Sequence, residues 1–127
     1  MNETEYLTSE TILDIHEDQI TVYGGSSGIR DLGMLESAVF RPQSGYYKDI
    51  IEQGAAMMES LSQNHPFLDG NKRTAIAVTA AFLRMNGWRL EFDDWGTYEF
   101  LIQLYERDQF RFEPLEVWLR QHSHAIR

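Results

Sequence analysis

The chain has 127 residues, a length typical of one domain, and its 43% hydrophobic content is ample for a single core. The net charge of -9 argues against nucleic acid as a direct partner, because binding to DNA or RNA depends on neutralising phosphates with Lys and Arg. The absence of cysteine excludes disulfides and fits a reducing, cytoplasmic setting. No signal peptide or membrane span is predicted, because no apolar stretch is long enough.

Apolar residues at helical spacing predict a chain built from helices. The first helix is expected to begin at Thr8 or Ser9, either of which can cap it, and to end before the Gly-Gly-Ser-Ser-Gly loop at 24–28. Asp31 is expected to cap a short second helix that runs to Phe40.

Pro42 is expected to stop the second helix, and a third helix fits 48–64. The inward positions of the third helix are Ile50, Ile51, Ala55, Met58 and Leu61. A fourth helix fits 71–86 and ends at an Asn-Gly pair, a common terminating signal. Beyond its first turn its only charge is Arg84, and a helix that is apolar on all sides is normally buried.

The remaining chain continues the helical pattern. Residues 88–92 fit a short extended piece, residues 94–107 a fifth helix, and a sixth helix is expected to begin at Pro114. Strand signals are nearly absent. The sequence therefore predicts an all-α protein in which residues 1–127 form a single compact domain of about six helices around the buried fourth helix.

Residues 65–73 read His-Pro-Phe-Leu-Asp-Gly-Asn-Lys-Arg and lead directly into that fourth helix. The first turn of a helix favours anionic side chains, because its unpaired N–H groups carry partial positive charge. Here the first turn instead carries Lys72 and Arg73. An anion bound at this helix N-terminus would compensate both cations, so the stretch predicts a phosphate site.

Each residue also has an ordinary structural explanation. His65 could be a helix-end histidine bonded to a carbonyl, Asp69 and Gly70 a common turn pair, and Asn71 a helix cap. Arg73 could pair with an acid. Their combination in one turn is what favours a functional site.

Transfer of a phosphorus group is the chemistry that uses this set of residues. His65 would take the proton from an attacking hydroxyl, and Asp69 would hold Mg²⁺, which binds through one or two carboxylates and substrate phosphates. The other members would bind phosphate oxygens or offset their charge: Gly70, Asn71, Lys72 and Arg73. The pattern is not a Walker A loop, because no Gly-x-x-x-x-Gly-Lys is present.

The stretch resembles the signature of the Fic/Doc family, His-x-Phe-x-Asp/Glu/Asn-Gly/Ala-Asn-x-Arg, with every functional position filled. Residues 28–43 and the helical layout also resemble the Doc (death-on-curing) branch. By position, the resemblance implies that His65 is the general base and Asp69 the metal-binding acid. It likewise implies that Asn71 and Arg73 contact phosphate.

Two positions depart from the AMP transferases of that family and match its Doc branch. Lys72 stands where AMP transferases usually carry Gly, and Ile76 stands where they carry a second Arg. The resemblance therefore implies a kinase that uses ATP and Mg²⁺ to phosphorylate a protein hydroxyl, with elongation factor Tu as the target that the branch suggests. AMP transfer is the alternative, and a non-catalytic module that binds a nucleotide or a partner is the second alternative.

The resemblance also implies a toxin that is restrained by a cognate antitoxin, whose C-terminal segment docks on it. The inhibitory marker Ser/Thr-x-x-x-Glu-Gly/Asn of other family members is absent from the sequence. Nine aromatic residues could leave a groove for that segment, although core packing is expected for most of them. They are Trp88, Phe92, Trp95, Tyr98, Phe100, Tyr105, Phe110, Phe112 and Trp118.

The other candidate residues receive structural interpretations. His16 is expected to be a packed histidine, and His122 and His124 to lie in a frayed tail where a metal site is only weakly indicated. Four charged residues either form surface pairs or support the loop of the site: Arg30, Asp31, Glu36 and Arg41.

Overall fold

The structure is a computed structural model that describes residues 3–91 and 95–126, with Trp95 and Gly96 described by their backbone alone. It contains six helices: α1 (Ser9–Tyr23), α2 (Leu32–Phe40), α3 (Ile50–Gln63), α4 (Asn71–Met85), α5 (Trp95–Glu106) and α6 (Phe112–His122). Two three-residue strands, β1 (Trp88–Leu90) and β2 (Ser123–Ala125), form a small antiparallel sheet. The predicted all-α class is confirmed. No described helix has the length and apolarity that crossing a bilayer requires.

Polar side chains begin the first three helices. Thr8 caps α1, Asp31 caps α2 and Asp49 caps α3, each by accepting a hydrogen bond from a backbone N–H in the first turn. Such a cap stabilises a helix by about 1 kcal/mol. Thr8 was one of the two caps considered for α1, and Asp31 was predicted for α2, whereas α3 begins two residues later than expected because Asp49 provides its cap.

Helix α4 lies at the centre of the fold and packs against α3, α1 and β1. Its buried residues are Thr74, Ala75, Ile76, Val78, Thr79, Phe82 and Leu83. Gly70 occupies the N-cap position with a left-handed φ of 75°, so the structural alternative in which Asn71 caps this helix is wrong. Glycine is favoured there because a side chain adds strain at positive φ.

Two further comparisons with the expectations concern helix boundaries next to prolines. Helix α2 ends at Phe40, as predicted, and a 3-10 turn, Arg41–Ser44, follows it with Pro42 buried inside. Helix α6 begins at Phe112, two residues before Pro114. Proline is tolerated there because the first N–H groups of a helix have no partner within the helix.

The C-terminal tail is ordered by pairing rather than frayed. Ser123 and Ala125 align with Leu90 and Trp88 across the two strands. The His122 ring stacks on Trp118 with centroids 4.5 Å apart and bonds the Trp118 carbonyl at 2.8 Å. The prediction of a frayed tail is therefore wrong; it could not foresee the strand pairing, because Trp88 and Leu90 lie far from the tail along the chain.

Two arginines tie the outer elements to α3. Arg41 donates to the Glu59 carboxylate at 2.8 Å and to the Tyr47 hydroxyl at 2.7 Å. Burial opposes the charge of Arg41, but these bonds outweigh burial and raise its pKa. Burial likewise disfavours ionised Asp49, but bonds from the Glu52 N–H and from Arg120 outweigh it and lower the pKa of Asp49.

The crossing of α3 and α4 is close at Gly54, and this contact can be tested. An added Cβ would lie 3.4 Å from Leu83 and 3.6 Å from Thr79, which is ordinary van der Waals contact. Because Gly is about 0.5–1 kcal/mol less favourable than Ala inside a helix, we expect Gly54→Ala to raise the free energy of unfolding by that amount. Gly54→Val should lower it by about 1–3 kcal/mol through overpacking. Urea denaturation measures both.

Gly33 in α2 is the matched control, because it is exposed and, among the residues that the structure describes, only Asp31 lies close to an added Cβ. Gly33→Ala should stabilise by a similar amount, whereas Gly33→Val should lack the overpacking cost. Destabilisation by Gly54→Ala together with stabilisation by Gly33→Ala would mean that the crossing is tighter than described.

Candidate active site

The loop between α3 and α4 is held by backbone pairing with the segment that precedes α2. Phe67 forms an antiparallel bridge with Ile29, and the Leu68 N–H donates to the Gly28 carbonyl at 3.1 Å. The side chain of Arg30 donates to the carbonyls of His65, at 2.5 Å, and Asn64, at 2.8 Å. Of the two roles expected for Arg30, support of the loop is therefore the observed one.

His65 follows α3 with a left-handed φ of 49°, which is unusual for a residue other than glycine. A backbone of this kind costs about 1–3 kcal/mol and persists only where surrounding contacts fix it. Its side chain is exposed, and Nε2 lies 3.3 Å from the hydroxyl oxygen of Tyr105 on α5. The imidazole is thus displayed at the surface of the turn, as a proton acceptor requires.

Phe67 anchors the centre of the loop. Its ring is 1% exposed and stacks on His16 at a centroid distance of 3.8 Å. The Asn71 side chain accepts from the Phe67 N–H at 2.9 Å and donates to the Phe67 carbonyl at 3.0 Å. Asn71 therefore shapes the loop, a task that its sequence position alone did not indicate.

His16 is packed as expected and also contacts the loop. It is buried, and its Nε2 bonds the carbonyl oxygen of Asp69 at 2.8 Å. Because a carbonyl can only accept, this nitrogen carries a proton. His16 thus fixes the backbone of the turn from beneath.

The Asp69 carboxylate accepts two backbone hydrogen bonds. Oδ2 accepts from the Ser26 N–H at 3.2 Å and Oδ1 accepts from the Gly70 N–H at 2.8 Å. An added Cβ on Gly25 would lie 2.7 Å from Oδ2, so this approach requires glycine. Each oxygen keeps a further acceptor position for a ligand.

The loop and the start of α4 line one side of a cavity of about 730 Å³, and α5 forms the other side. The loop and α4 contribute His65, Leu68, Asp69, Gly70, Asn71, Lys72 and Arg73. Within α4 the first internal hydrogen bond joins the Thr74 N–H to the Gly70 carbonyl at 2.9 Å. The N–H groups of residues 71–73 therefore precede the helical bonding pattern, at the end with partial positive charge.

Neither cation of this turn is neutralised by an acid among the described residues. The Lys72 ammonium lies 4.4 Å from the ring centroid of Tyr105, and the Arg73 guanidinium lies 5.0 Å from that of Tyr23. Within the described part of the chain, Arg73 Nη1 is buried and has no hydrogen-bond partner. A buried donor without an acceptor is costly, so the turn is poised to accept an anion.

Known proteins resemble this chain over most of its length. The model of the Fic/DOC family matches residues 6–83, more than half of the chain. The chain is 40% identical over 95 residues to a protein named Toxin Doc from Mycolicibacterium smegmatis, covering 71% of each chain. It is 34% identical over 86 residues to a protein named Protein kinase doc from Escherichia phage P1, covering 65% of this chain and 68% of the relative.

The chain belongs to the Fic/Doc family. Its residues 65–73 carry the Fic/Doc signature, and the structure brings the predicted candidates from this stretch to one wall of one cavity. The match to the family model begins in the segment before α1 and ends within α4. Helices α5 and α6 lie beyond it.

The opposite wall of the cavity was missed by the sequence analysis. It consists of residues from α5: Tyr98, Glu99, Ile102, Gln103, Tyr105 and Glu106. These residues lie at least 25 positions after the signature. Tyr98 and Tyr105 were considered only as core or docking aromatics, and the other four were not singled out. No local sequence pattern indicates that these residues belong to the site, because only tertiary packing brings α5 opposite the loop.

The aromatic residues proposed to form an antitoxin groove are mostly packed. Phe110 and Trp118 are buried, and four others pack partly buried against the core: Trp88, Tyr98, Tyr105 and Phe112. Phe100 is exposed, while Phe92 and the side chain of Trp95 lie outside the described residues. Core packing, the expectation for most of the nine, is confirmed for these six.

His122 and His124 do not converge on a metal site. His122 stacks on Trp118, and His124 Nε2 lies 3.5 Å from Glu91. Among residues 3–91 and 95–126, no group of three or more potential acidic or histidine ligands was found. The weak indication of a two-histidine site in the tail gains no support.

Asn71 provides a test of the loop architecture. We expect Asn71→Ala to leave the buried Phe67 N–H without an acceptor and to lower the free energy of unfolding by about 1–3 kcal/mol. Urea denaturation measures the loss, and hydrogen exchange of the Phe67 amide localises it to the loop.

Asn64→Ala is the control, since no hydrogen bond from the Asn64 side chain is observed within the described chain. This change should stay within about 0.5 kcal/mol of the unmodified protein. Equal losses in the two variants would contradict a specific role for the Asn71 clamp.

Proposed function

We propose that this protein is the toxin of a toxin–antitoxin pair and acts as a kinase that transfers the γ-phosphoryl group of ATP to a hydroxyl of a protein. The observation that carries the proposal is a pair of cations that no described acid neutralises, Lys72 and Arg73, at the N-terminus of α4 beside the exposed imidazole of His65. A cation pair, free helical N–H groups and a candidate base then meet in one cavity.

The phosphate end of ATP suits the N-terminus of α4. The N–H groups of residues 71–73 and the buried Nη1 of Arg73 are donors that phosphate oxygens would satisfy. Lys72 and Arg73 would stabilise the negative charge that spreads over the transferred group. Gly70 would allow close approach because its position carries no side chain.

His65 is the proposed general base. The acceptor hydroxyl would give its proton to the imidazole while its oxygen bonds to the γ-phosphorus. The bond between that phosphorus and the bridging oxygen would break, and ADP would leave. In such transfers, positioning and electrostatics supply most of the rate, and a positioned base contributes about 10²–10⁴-fold.

Asp69 is the proposed holder of Mg²⁺. Its carboxylate lines the cavity, and both oxygens retain acceptor capacity after bonding Ser26 and Gly70. A single carboxylate is sufficient because Mg²⁺ is usually bound by one or two carboxylates together with phosphates and water. The ion, when bound, would neutralise phosphate charge and orient the γ-phosphoryl group.

Two positions favour phosphoryl transfer over AMP transfer. Ile76 is buried in α4, so the second arginine of the AMP transferases has no counterpart there. Lys72 adds a charged side chain where a glycine would leave the backbone open. One relative carries the name of a protein kinase, which agrees with this choice.

The toxin role rests on the relatives. One of them is named as a toxin, and this chain matches 71% of its length. We propose that a cognate antitoxin restrains the protein by docking a C-terminal segment on it, and that the substrate is a cytoplasmic protein. Elongation factor Tu, which the family resemblance suggested, is the first candidate.

Label transfer distinguishes the kinase from the AMP transferase. The protein is incubated with Mg²⁺, a bacterial lysate and ATP labelled at the γ or at the α phosphate. We expect one protein band to be labelled from γ-ATP, and His65→Ala to reduce that labelling by at least about 100-fold. The same variant should no longer arrest growth on expression. Mass spectrometry of the labelled band identifies the target.

His124→Ala is the control, because His124 is exposed and lies outside the cavity. It should label and arrest growth like the unmodified protein. Label that arrives only from α-ATP would replace the kinase by an AMP transferase. Growth arrest that survives His65→Ala would favour a non-catalytic module.

The role of Asp69 predicts a change in metal dependence. Removal of Mg²⁺ with EDTA should stop label transfer, and Asp69→Asn should raise the Mg²⁺ concentration for half-maximal transfer by at least about tenfold, because the amide loses the negative charge that binds the ion. Asp108→Asn, at an exposed aspartate outside the cavity, is the control. An unchanged Mg²⁺ titration for Asp69→Asn would contradict the assignment.

A further inference from the structure

Tyr105 contacts two of the proposed functional groups at once. Its hydroxyl oxygen lies 3.3 Å from His65 Nε2, and its ring centroid lies 4.4 Å from the Lys72 ammonium. The residue is in the last turn of α5, on the wall of the cavity opposite the signature loop. A single aromatic side chain thus joins the two sides of the cavity.

The two contacts constrain His65 and Lys72 in different ways. The His65 ring is exposed, and within the described part of the chain the Tyr105 hydroxyl is its one observed hydrogen-bond partner. Lys72 has a long flexible side chain and forms no ion pair among the described residues. Without Tyr105, both groups would be free to turn away from the cavity.

Contact with a ring holds a cation without neutralising it. The face of an aromatic ring attracts an ammonium group through its quadrupole but carries no net charge. Glu99 and Glu106 line the same cavity, and an ion pair with either would cancel the charge that a phosphate needs. Resting on Tyr105 keeps the Lys72 charge available.

The hydroxyl contact also bears on which nitrogen of His65 carries the proton. Nε2 can take the proton of the substrate hydroxyl only when Nε2 is itself unprotonated. In that state it can accept a hydrogen bond from the Tyr105 hydroxyl. A donating hydroxyl would therefore favour the ring form with its proton on Nδ1. The substrate hydroxyl would replace the Tyr105 hydroxyl at Nε2 and would then give up its proton there.

Tyr105 is itself well anchored. Its ring packs edge to face on Phe110, which is fully buried, with centroids 5.9 Å apart. The carbonyl of Phe110 accepts a hydrogen bond from Gln63 of α3 at 3.0 Å, and the Tyr105 carbonyl accepts from the Asp108 N–H at 3.0 Å. These contacts fix the position from which the side chain acts.

We infer that Tyr105 is a positioning residue for the proposed kinase: its hydroxyl orients His65 with Nε2 unprotonated, and its ring holds Lys72 toward the phosphates. This inference rests on the proposed function for its consequences in catalysis. The geometry on which it rests can be tested separately from that function.

Two substitutions separate the two contacts. Tyr105→Phe removes the hydroxyl and keeps the ring, so it should lower kcat for γ-phosphoryl transfer by about tenfold, the scale of one lost hydrogen bond to a reacting group. The Kd of a non-hydrolysable ATP analogue with Mg²⁺ should stay within about twofold. Tyr105→Leu removes both contacts and should also weaken that Kd by about tenfold, because Lys72 is no longer held.

A double-mutant cycle of Tyr105 and Lys72 tests the contact between the ring and the ammonium group. In a Lys72→Met background, Tyr105→Leu should weaken binding of the analogue no further than Tyr105→Phe does, because the cation that the ring holds is gone. Tyr46→Phe, at an exposed tyrosine outside the cavity, is the control and should change neither kcat nor Kd. Additive losses in the cycle would overturn the role of the ring.

The imidazole can be observed directly by ¹⁵N NMR of the ring nitrogens, with the signals of His65 identified by their loss in His65→Ala. We expect Tyr105→Phe to shift Nε2 toward its protonated position at a pH where the ring is neutral, with the Tyr46→Phe spectrum unchanged. Identical His65 signals with and without the Tyr105 hydroxyl would overturn the positioning role, whatever group the protein transfers. Absence of any label transfer by the unmodified protein, with the shift present, would overturn only the proposed function.

Discussion

Positive charge that no described acid compensates is the constraint on which the site depends. Helix α4 is the central helix, so its N-terminus is fixed in space, and that end already carries the partial charge of its unpaired N–H groups. The sequence adds Lys72 and Arg73 instead of the acids that would stabilise the helix. The two cations lower the stability of the helix N-terminus in the free protein, and a bound anion would restore that stability. The arrangement therefore favours ligand binding over the stability of the free fold.

The loop before α4 is shaped by parts of the chain that are distant in sequence. His16 supports the turn from α1, Ser26 bonds the Asp69 carboxylate, and Arg30 bonds the carbonyls where α3 ends. These contacts compensate the strained backbone of His65. The loop is therefore a rigid support, which is what a site that works by positioning and electrostatics needs.

Aromatic rings replace acids as the partners of the two cations. Tyr23 from α1 contacts Arg73, and Tyr105 from α5 contacts Lys72. Each ring limits the motion of a long side chain while leaving its charge in place. The site is thus bounded on two sides by helices whose tyrosines organise groups that the signature loop provides.

The sequence by itself determined the helical class, the cap Asp31, the central position of α4 and the signature loop, because each depends on residues close together in the chain. Only the tertiary structure decided that Asn71 clamps Phe67, that the C-terminal tail pairs with β1, and that α5 forms the second wall of the cavity. Each of these depends on contacts of side chains or backbone groups that local periodicity does not encode. Tyr105 illustrates the difference: it follows His65 by 40 positions, and only the packing of α5 brings its hydroxyl to the imidazole.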